Sequence, residues 1–183
     1  VKVEASPINP SDLGLLISFA ADLDSLNTRG SGDNTLTSMR VHPALMGTMK
    51  SRLNQAMPVG NEGAGVIEAS GSNSTTLIGK LVGVAGGAMY SQFRCVPAHN
   101  CLIMNDDTLA TEAASSFVNP LTVLAFVETM RMENHHALLN TAAASNLGKM
   151  LIKVCMDDAI PLVNIVRTDE QVKTLKELGA DYV

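Results

Sequence analysis

The sequence predicts a mixed α/β fold: a β-rich region followed by the first part of a doubly wound parallel sheet. Three observations carry this reading. Residues 1–118 break into short runs bounded by Gly, Pro and Ser, the pattern of strands joined by turns. Residues 119–183 alternate strand-length apolar runs with helix-period segments. Hydrophobic residues make up 46% and charged residues 17% of 183, enough for a core and too little charge for disorder.

Taken in order, Val1-Lys2-Val3-Glu4-Ala5 alternates as a strand, and Ser6-Pro7-Ile8-Asn9-Pro10-Ser11-Asp12 packs two prolines and Asx residues into a rigid turn. Residues 19–56 lose periodicity, which predicts a lid, a partly helical insertion or a disordered excursion. Strands resume at 65–68, 81–84 and 90–96, and many short strands with Gly turns predict a small barrel. Asn119-Pro120 predicts a helix start, Asn as cap and Pro at the first helical position, leading into 121–132. A strand at 137–142 precedes a helix whose Leu147, Met150, Leu151, Val154 and Cys155 fall on one face. A second strand at 161–166 follows, then a helix capped by Asp169, carrying Val172, Leu175 and Leu178 and closed by Gly179. Tyr182-Val183 reads as a third strand cut short, so the chain reads as a fragment of a longer protein.

A net charge of −5 offers no footprint for nucleic acid. No apolar run approaches the roughly 20 residues of a membrane helix. Three cysteines, Cys95, Cys101 and Cys155, suggest no disulfide framework and favour a reducing, cytoplasmic setting, with a mitochondrial one left open because the chain begins at Val1 in mid-strand. With aromatics at 3%, no Trp and ten Met, the core must be aliphatic and thioether. His42, His135 and His136 read as surface residues.

The turn Ala142-Ala143-Ala144-Ser145-Asn146-Leu147-Gly148 joins a strand to a helix, where free N–H groups and the helix dipole favour a pyrophosphate. Of the usual three glycines only the last is present. Ser145 and Asn146 stand in place of the other two, with an expected cost of about 1 kcal/mol wherever φ must be positive.

Other segments lie in a telling order. The run 3–12 is similar to a strand with an N-P-x-D turn. Gly60-Asn61-Glu62-Gly63-Ala64-Gly65-Val66 resembles a G-x-E-x-x-G-x-V segment, and Gly79-Lys80-Leu81-Val82 a G-x-x-V strand. Tyr90-Ser91-Gln92-Phe93, Glu112-Ala113-Ala114, Asn119-Pro120-Leu121-Thr122 and Leu178-Gly179-Ala180-Asp181 follow in step. Together they resemble the medium-chain dehydrogenase/reductase superfamily, in its zinc-independent quinone oxidoreductase branch.

The resemblance implies a GroES-like β-barrel over 1–118, with 19–56 as an insertion, and a partial Rossmann domain over 119–183, the active site lying between them. The family's zinc-dependent members place Cys and His where this chain has Pro10 and Asn61, so no metal is expected. Cys95, His99 and Cys101 match a barrel strand and turn with no further ligand. Without a Lewis acid, hydride transfer from NADPH to an electron-poor acceptor is the expected chemistry. That acceptor is a quinone or, alternatively, an enone or 2-enoyl thioester; a cofactor-binding homologue without turnover is a third reading. Asn9 and Asp12 are the catalytic candidates, Asn9 toward the acceptor or nicotinamide and Asp12 also holding the turn. Cofactor contacts fall to Asn119, Thr122, Ala144, Ser145, Asn146, Leu147 and Gly148. Arg167, just after the second strand, is placed for the 2′-phosphate that distinguishes NADPH. The full-length protein is expected to be a homodimer. Many relatives carry a Tyr soon after the first turn; Leu13-Gly14-Leu15-Leu16 offers none, so the sequence names no proton donor.

Overall fold

The structure, a computed structural model, describes residues 1–16 and 21–183. Its fold is mixed α/β, and the chain divides into two units, Val1–Ala114 and Ser115–Val183.

In the first unit, β1 (Lys2–Ala5) leads into α1 (Pro10–Leu16). Pro10 takes the first helical position, where no N–H is needed. The part of the 19–56 stretch that is described, from Ala21 onward, forms an antiparallel hairpin, β2 (Ala21–Arg29) with β3 (Leu36–Val41), followed by 3₁₀ turns over Pro43–Arg52. Phe19 and Ala20 lie outside the described residues. The 3₁₀ turns fit the expectation of a partly helical insertion, whereas the hairpin was not expected. The hairpin escapes sequence reading because Leu23, Leu26 and Leu36 are all exposed, so no buried face imprints a period of two.

β4 (Glu62–Val66), β5 (Leu81–Ala85) and β6 (Cys101–Ile103) follow, and the antiparallel sheet runs β1-β4-β5-β6. The sequence pattern does not predict β6. The expected strand at 90–96 reduces to one bridge, Phe93 with Lys2, supported by the Val3 N–H donating to the Gln92 carbonyl at 2.9 Å. Ile67, Val82, Val84 and Met89 form the core beneath the sheet. The short α2 (Ala110–Ala113) packs Ala113 and Ala114 on Ala64.

The second unit begins with α3 (Val118–Met132). Phe117, not Asn119, stands at its cap position, which moves Asn119 and Pro120 inside the first turn. Pro120 costs nothing there, since the first N–H groups of a helix have no intrahelical acceptor. β7 (Leu138–Asn140), α4 (Asn146–Asp157), β8 (Leu162–Asn164) and α5 (Asp169–Glu177) complete the order. β7 and β8 pair in parallel, and Tyr182 bridges Val163 in parallel on the far side of β8. The five apolar residues of α4 meet Val123, Val127 and Leu175 in one core. The cap of α5 is Thr168, whose Oγ1 accepts the Gln171 N–H at 3.3 Å, rather than Asp169. Its other end closes by two bonds, Gly179 N–H to Lys176 O and Ala180 N–H to Leu175 O, both 3.0 Å, with Gly179 at φ +94°. On the opposite sheet face Leu139, Val163 and Ile165 are exposed.

Candidate functional site

The turn between β7 and α4 is assembled from local bonds. Ser145 caps α4: its Oγ accepts the Gly148 N–H at 3.0 Å, and its carbonyl accepts from Lys149 at 2.9 Å. The N–H groups of Asn146 and Leu147, the first two of the helix, have no intrahelical acceptor. Ser145 lies at φ −70° and ψ 165°, and neither it nor Asn146 is in the left-handed region. The expected strain at these two replaced glycines is therefore absent, because serine solves the turn as a cap rather than as a glycine substitute. Gly148 is required for a different reason. A Cβ there would run into the Ala143 carbonyl oxygen and lie 2.7 Å from that of Ala142, so only glycine lets the first turn of α4 seat on the turn that leads into it. Ser145 and Asn146 are exposed, Ala144 and Leu147 half-buried, and Gly148 buried.

Arg167 sits three residues beyond β8 with its side chain exposed. Its backbone N–H donates to Gln171 Oε1 at 2.9 Å, and its guanidinium makes no ion pair among the described residues. Thr122 turns its hydroxyl back to the Val118 carbonyl at 2.6 Å, which leaves it only as an acceptor. Asn119 is half-buried beside it in the first turn of α3.

Sequence reasoning missed two residues here. Asn140 and Asn164 end the parallel strands as Leu-Leu-Asn and Leu-Val-Asn, are directly in register, and are only 7% and 3% exposed. A polar residue closing two apolar runs in the same phase was the available signal. Asn140 Oδ1 accepts the Ala142 N–H at 3.3 Å, so it shapes the entry to the turn.

The first unit holds a separate buried polar cluster. Asp12 is fully buried, with one carboxylate oxygen accepting the Asn9 N–H and the other the Asn61 N–H, both at 2.8 Å. It therefore clamps the start of α1 to the start of β4, and both its oxygens are engaged by backbone. Asn9, 7% exposed, gives its Nδ2 to Glu62 Oε1 at 2.9 Å. Asn61 Nδ2 donates to Ser11 Oγ at 3.0 Å. Tyr90, also missed from the sequence, donates its hydroxyl to the Pro7 carbonyl at 2.8 Å. Burial, and secondarily the Asp12 carboxylate, push its phenol above the usual range. Among the described residues, no group of three or more His, Cys, Asp or Glu side chains is placed to hold a metal ion. His42, His135 and His136 are all exposed.

No protein-family model matches the chain. Individual proteins do. A mitochondrial enoyl-[acyl-carrier-protein] reductase of Caenorhabditis elegans is 34% identical over 133 residues, covering 68% of this chain and 38% of that protein. A Mesorhizobium loti structure assigned as an NADPH:quinone reductase is 28% identical with a TM-score of 0.69, covering 100% of this chain and 46% of its own. Both are members of the medium-chain dehydrogenase/reductase superfamily, the one that the sequence motifs resemble. An Escherichia coli quinone oxidoreductase complexed with NADPH shares the fold at 21% identity and a TM-score of 0.64. The chain spans about half the length of these superfamily members or less. Among the described residues no helix is long and apolar enough to cross a membrane.

Proposed function

We propose that this chain carries the dinucleotide-binding residues of an NADPH-dependent oxidoreductase that reduces an electron-poor conjugated acceptor without zinc, built on a GroES-like unit followed by the first part of a Rossmann unit. The observation that carries the reading is the β7–α4 turn, where Gly148 leaves no room for a Cβ and the N–H groups of Asn146 and Leu147 lack intrahelical acceptors. That arrangement fits a pyrophosphate, which accepts such bonds and is favoured at a helix N-terminus. NADPH, when bound, supplies the hydride.

The protein's own residues do the rest. Ser145, its Oγ already accepting from Gly148, keeps its O–H free to donate to phosphate oxygen. Arg167, exposed and without an ion pair among the described residues, is the residue for the 2′-phosphate. Thr122 offers lone pairs to a carboxamide N–H, and Asn119 is its neighbour for that role. Asn9, with its Nδ2 held by Glu62, presents Oδ1 as an acceptor and is the substrate-contacting residue of the first unit. Asp12 supports Asn9 through the backbone rather than touching substrate.

A quinone is the acceptor favoured by the 28% likeness that spans the whole chain. The second reading, a 2-enoyl thioester, is favoured by the 34% identity to an enoyl reductase. Both acceptors take a hydride at a carbon conjugated to a carbonyl. The full-length protein is proposed to be a cytoplasmic homodimer, although the curated relatives are mitochondrial. Calorimetric titration of the intact gene product with NADPH and NADH tests the binding half of this proposal. Saturable binding with NADPH the tighter of the two is expected, and folded protein that binds neither would overturn it.

A further inference from the structure

The turn that carries Asn9 is gripped by residues 89 and 90. Ser6 Oγ donates to the Met89 carbonyl at 3.0 Å, and the Tyr90 hydroxyl donates to the Pro7 carbonyl at 2.8 Å. Side-chain packing does little there, since Ile8, between Pro7 and Asn9, is 70% exposed. The same two residues are tied to the segment that leads into β4. The Met89 N–H donates to the Gly60 carbonyl at 3.1 Å, and the Tyr90 N–H to that of Val59 at 3.2 Å. A Cβ on Gly60 would lie 2.6 Å from the Tyr90 ring, so only glycine leaves the ring this seat. From there the Asn61 N–H reaches Asp12 and Glu62 accepts from Asn9, which closes a circuit of bonds through Asn9.

We infer that Tyr90 is a positioning residue for the acceptor: its bond to the Pro7 carbonyl sets the turn from which Asn9 reaches the acceptor, and Tyr90 is not the proton donor. The positioning role rests on the proposed reading of Asn9 as the acceptor contact; the grip on the turn does not. A phenol has one O–H, and here it is given to the Pro7 carbonyl. Burial, and secondarily the Asp12 carboxylate, hold that proton on the oxygen. Handing it to a reduced acceptor would leave a phenolate facing both a carbonyl oxygen and that carboxylate. Tyr90 therefore acts through the backbone of Pro7 and Ile8, as Asp12 acts through that of Asn9.

The test is Tyr90→Phe in the intact gene product, which removes the hydroxyl and keeps the ring against Gly60. With NADPH and a quinone or a trans-2-enoyl thioester, the acceptor KM should rise about 3- to 10-fold, as for one lost neutral hydrogen bond. The NADPH Kd, kcat and the solvent deuterium isotope effect on kcat should stay within about twofold of wild type. Loss of a proton donor behaves differently, lowering kcat about 10²- to 10⁴-fold and altering the isotope effect. Either that collapse of kcat or an unchanged acceptor KM would overturn the inference. Amide hydrogen exchange of the same two proteins, without substrate, reads the grip directly. The N–H groups of Asn9, Asp12 and Leu13, all bonded within the turn, should exchange about 3- to 10-fold faster in Tyr90→Phe, with the α4 amides unchanged. Should wild type reduce neither acceptor, the proposed function falls alone and the exchange decides: equal rates in the two proteins would overturn the grip.

Discussion

Replacing Arg167 by alanine separates the two nicotinamide cofactors. The Arg167 side chain is exposed and makes no ion pair among the described residues, so its removal leaves no buried charge or broken network behind. Its backbone N–H bond to Gln171 Oε1 does not depend on the side chain. Stability should therefore change by no more than about 0.5 kcal/mol, the range for surface substitutions. A hydrogen bond to a charged group contributes roughly 1.5–3 kcal/mol, and exposure to solvent places Arg167 at the lower end of that range. About 1.5 kcal/mol corresponds to about tenfold in affinity for NADPH, with NADH nearly unchanged because it lacks the phosphate. The difference should shrink as salt rises from about 50 to 500 mM, since an exposed pair is screened. Arg167→Asp should go further by repelling the phosphate. Titrating both cofactors against wild type and these variants is the assay. Equal losses for NADH and NADPH would show that Arg167 only supports its loop.

Gly148→Ala should weaken both cofactors alike and destabilise the fold by about 1–3 kcal/mol, because the new Cβ meets backbone that cannot rotate away; calorimetry and denaturant titration read the two effects. Asp12→Ala strips two buried backbone N–H groups of their acceptor and should cost about 2–5 kcal/mol in urea unfolding, whereas a loss below about 1 kcal/mol would show that water replaces the carboxylate. Tyr90 has its proton held more tightly in the folded protein than in the unfolded chain, so its contribution is complete below about pH 10 and is lost as pH rises through the folded value; Tyr90→Phe should flatten that part of the alkaline stability profile. Elemental analysis should find no stoichiometric zinc, given Pro10 and Asn61 at the positions where zinc-dependent relatives carry ligands.

The second unit was the more legible half. Its helices bury one apolar stripe each, so Leu147 through Cys155 and Val172 through Leu178 carry a period of 3.6 that only a core imposes. The caps were less legible: Thr168 and Asp169 are both good capping residues, and Phe117, which makes no side-chain cap bond, carries no capping signal at all. In the first unit the strand expected at 65–68 meets β4 only at Gly65 and Val66, while β1 and β5 were visible through their short apolar and alternating runs. The β2–β3 hairpin was not, since backbone ladder bonds and the Gly30 turn hold it without a buried side. The apolar residues of the 90–96 run suggest a full strand but serve a single bridge at Phe93. At the candidate site the order of motifs pointed to the β7–α4 turn, but the way Ser145 caps the helix in place of a glycine could only be seen in its dihedral angles and its bond to Gly148. Asn140 and Asn164 were invisible for a related reason. Their significance lies in a register between strands 24 positions apart, which no local window contains.

The central claim is hydride transfer from NADPH to a conjugated acceptor without zinc. NADPH oxidation by the intact gene product, followed by its absorbance after chelator treatment, with a quinone and a trans-2-enoyl thioester in parallel, tests it most directly. The account predicts oxidation with at least one of the two acceptors, undiminished by the chelator. Folded protein that binds NADPH yet oxidises it with neither acceptor, or does so only when zinc is restored, would contradict it.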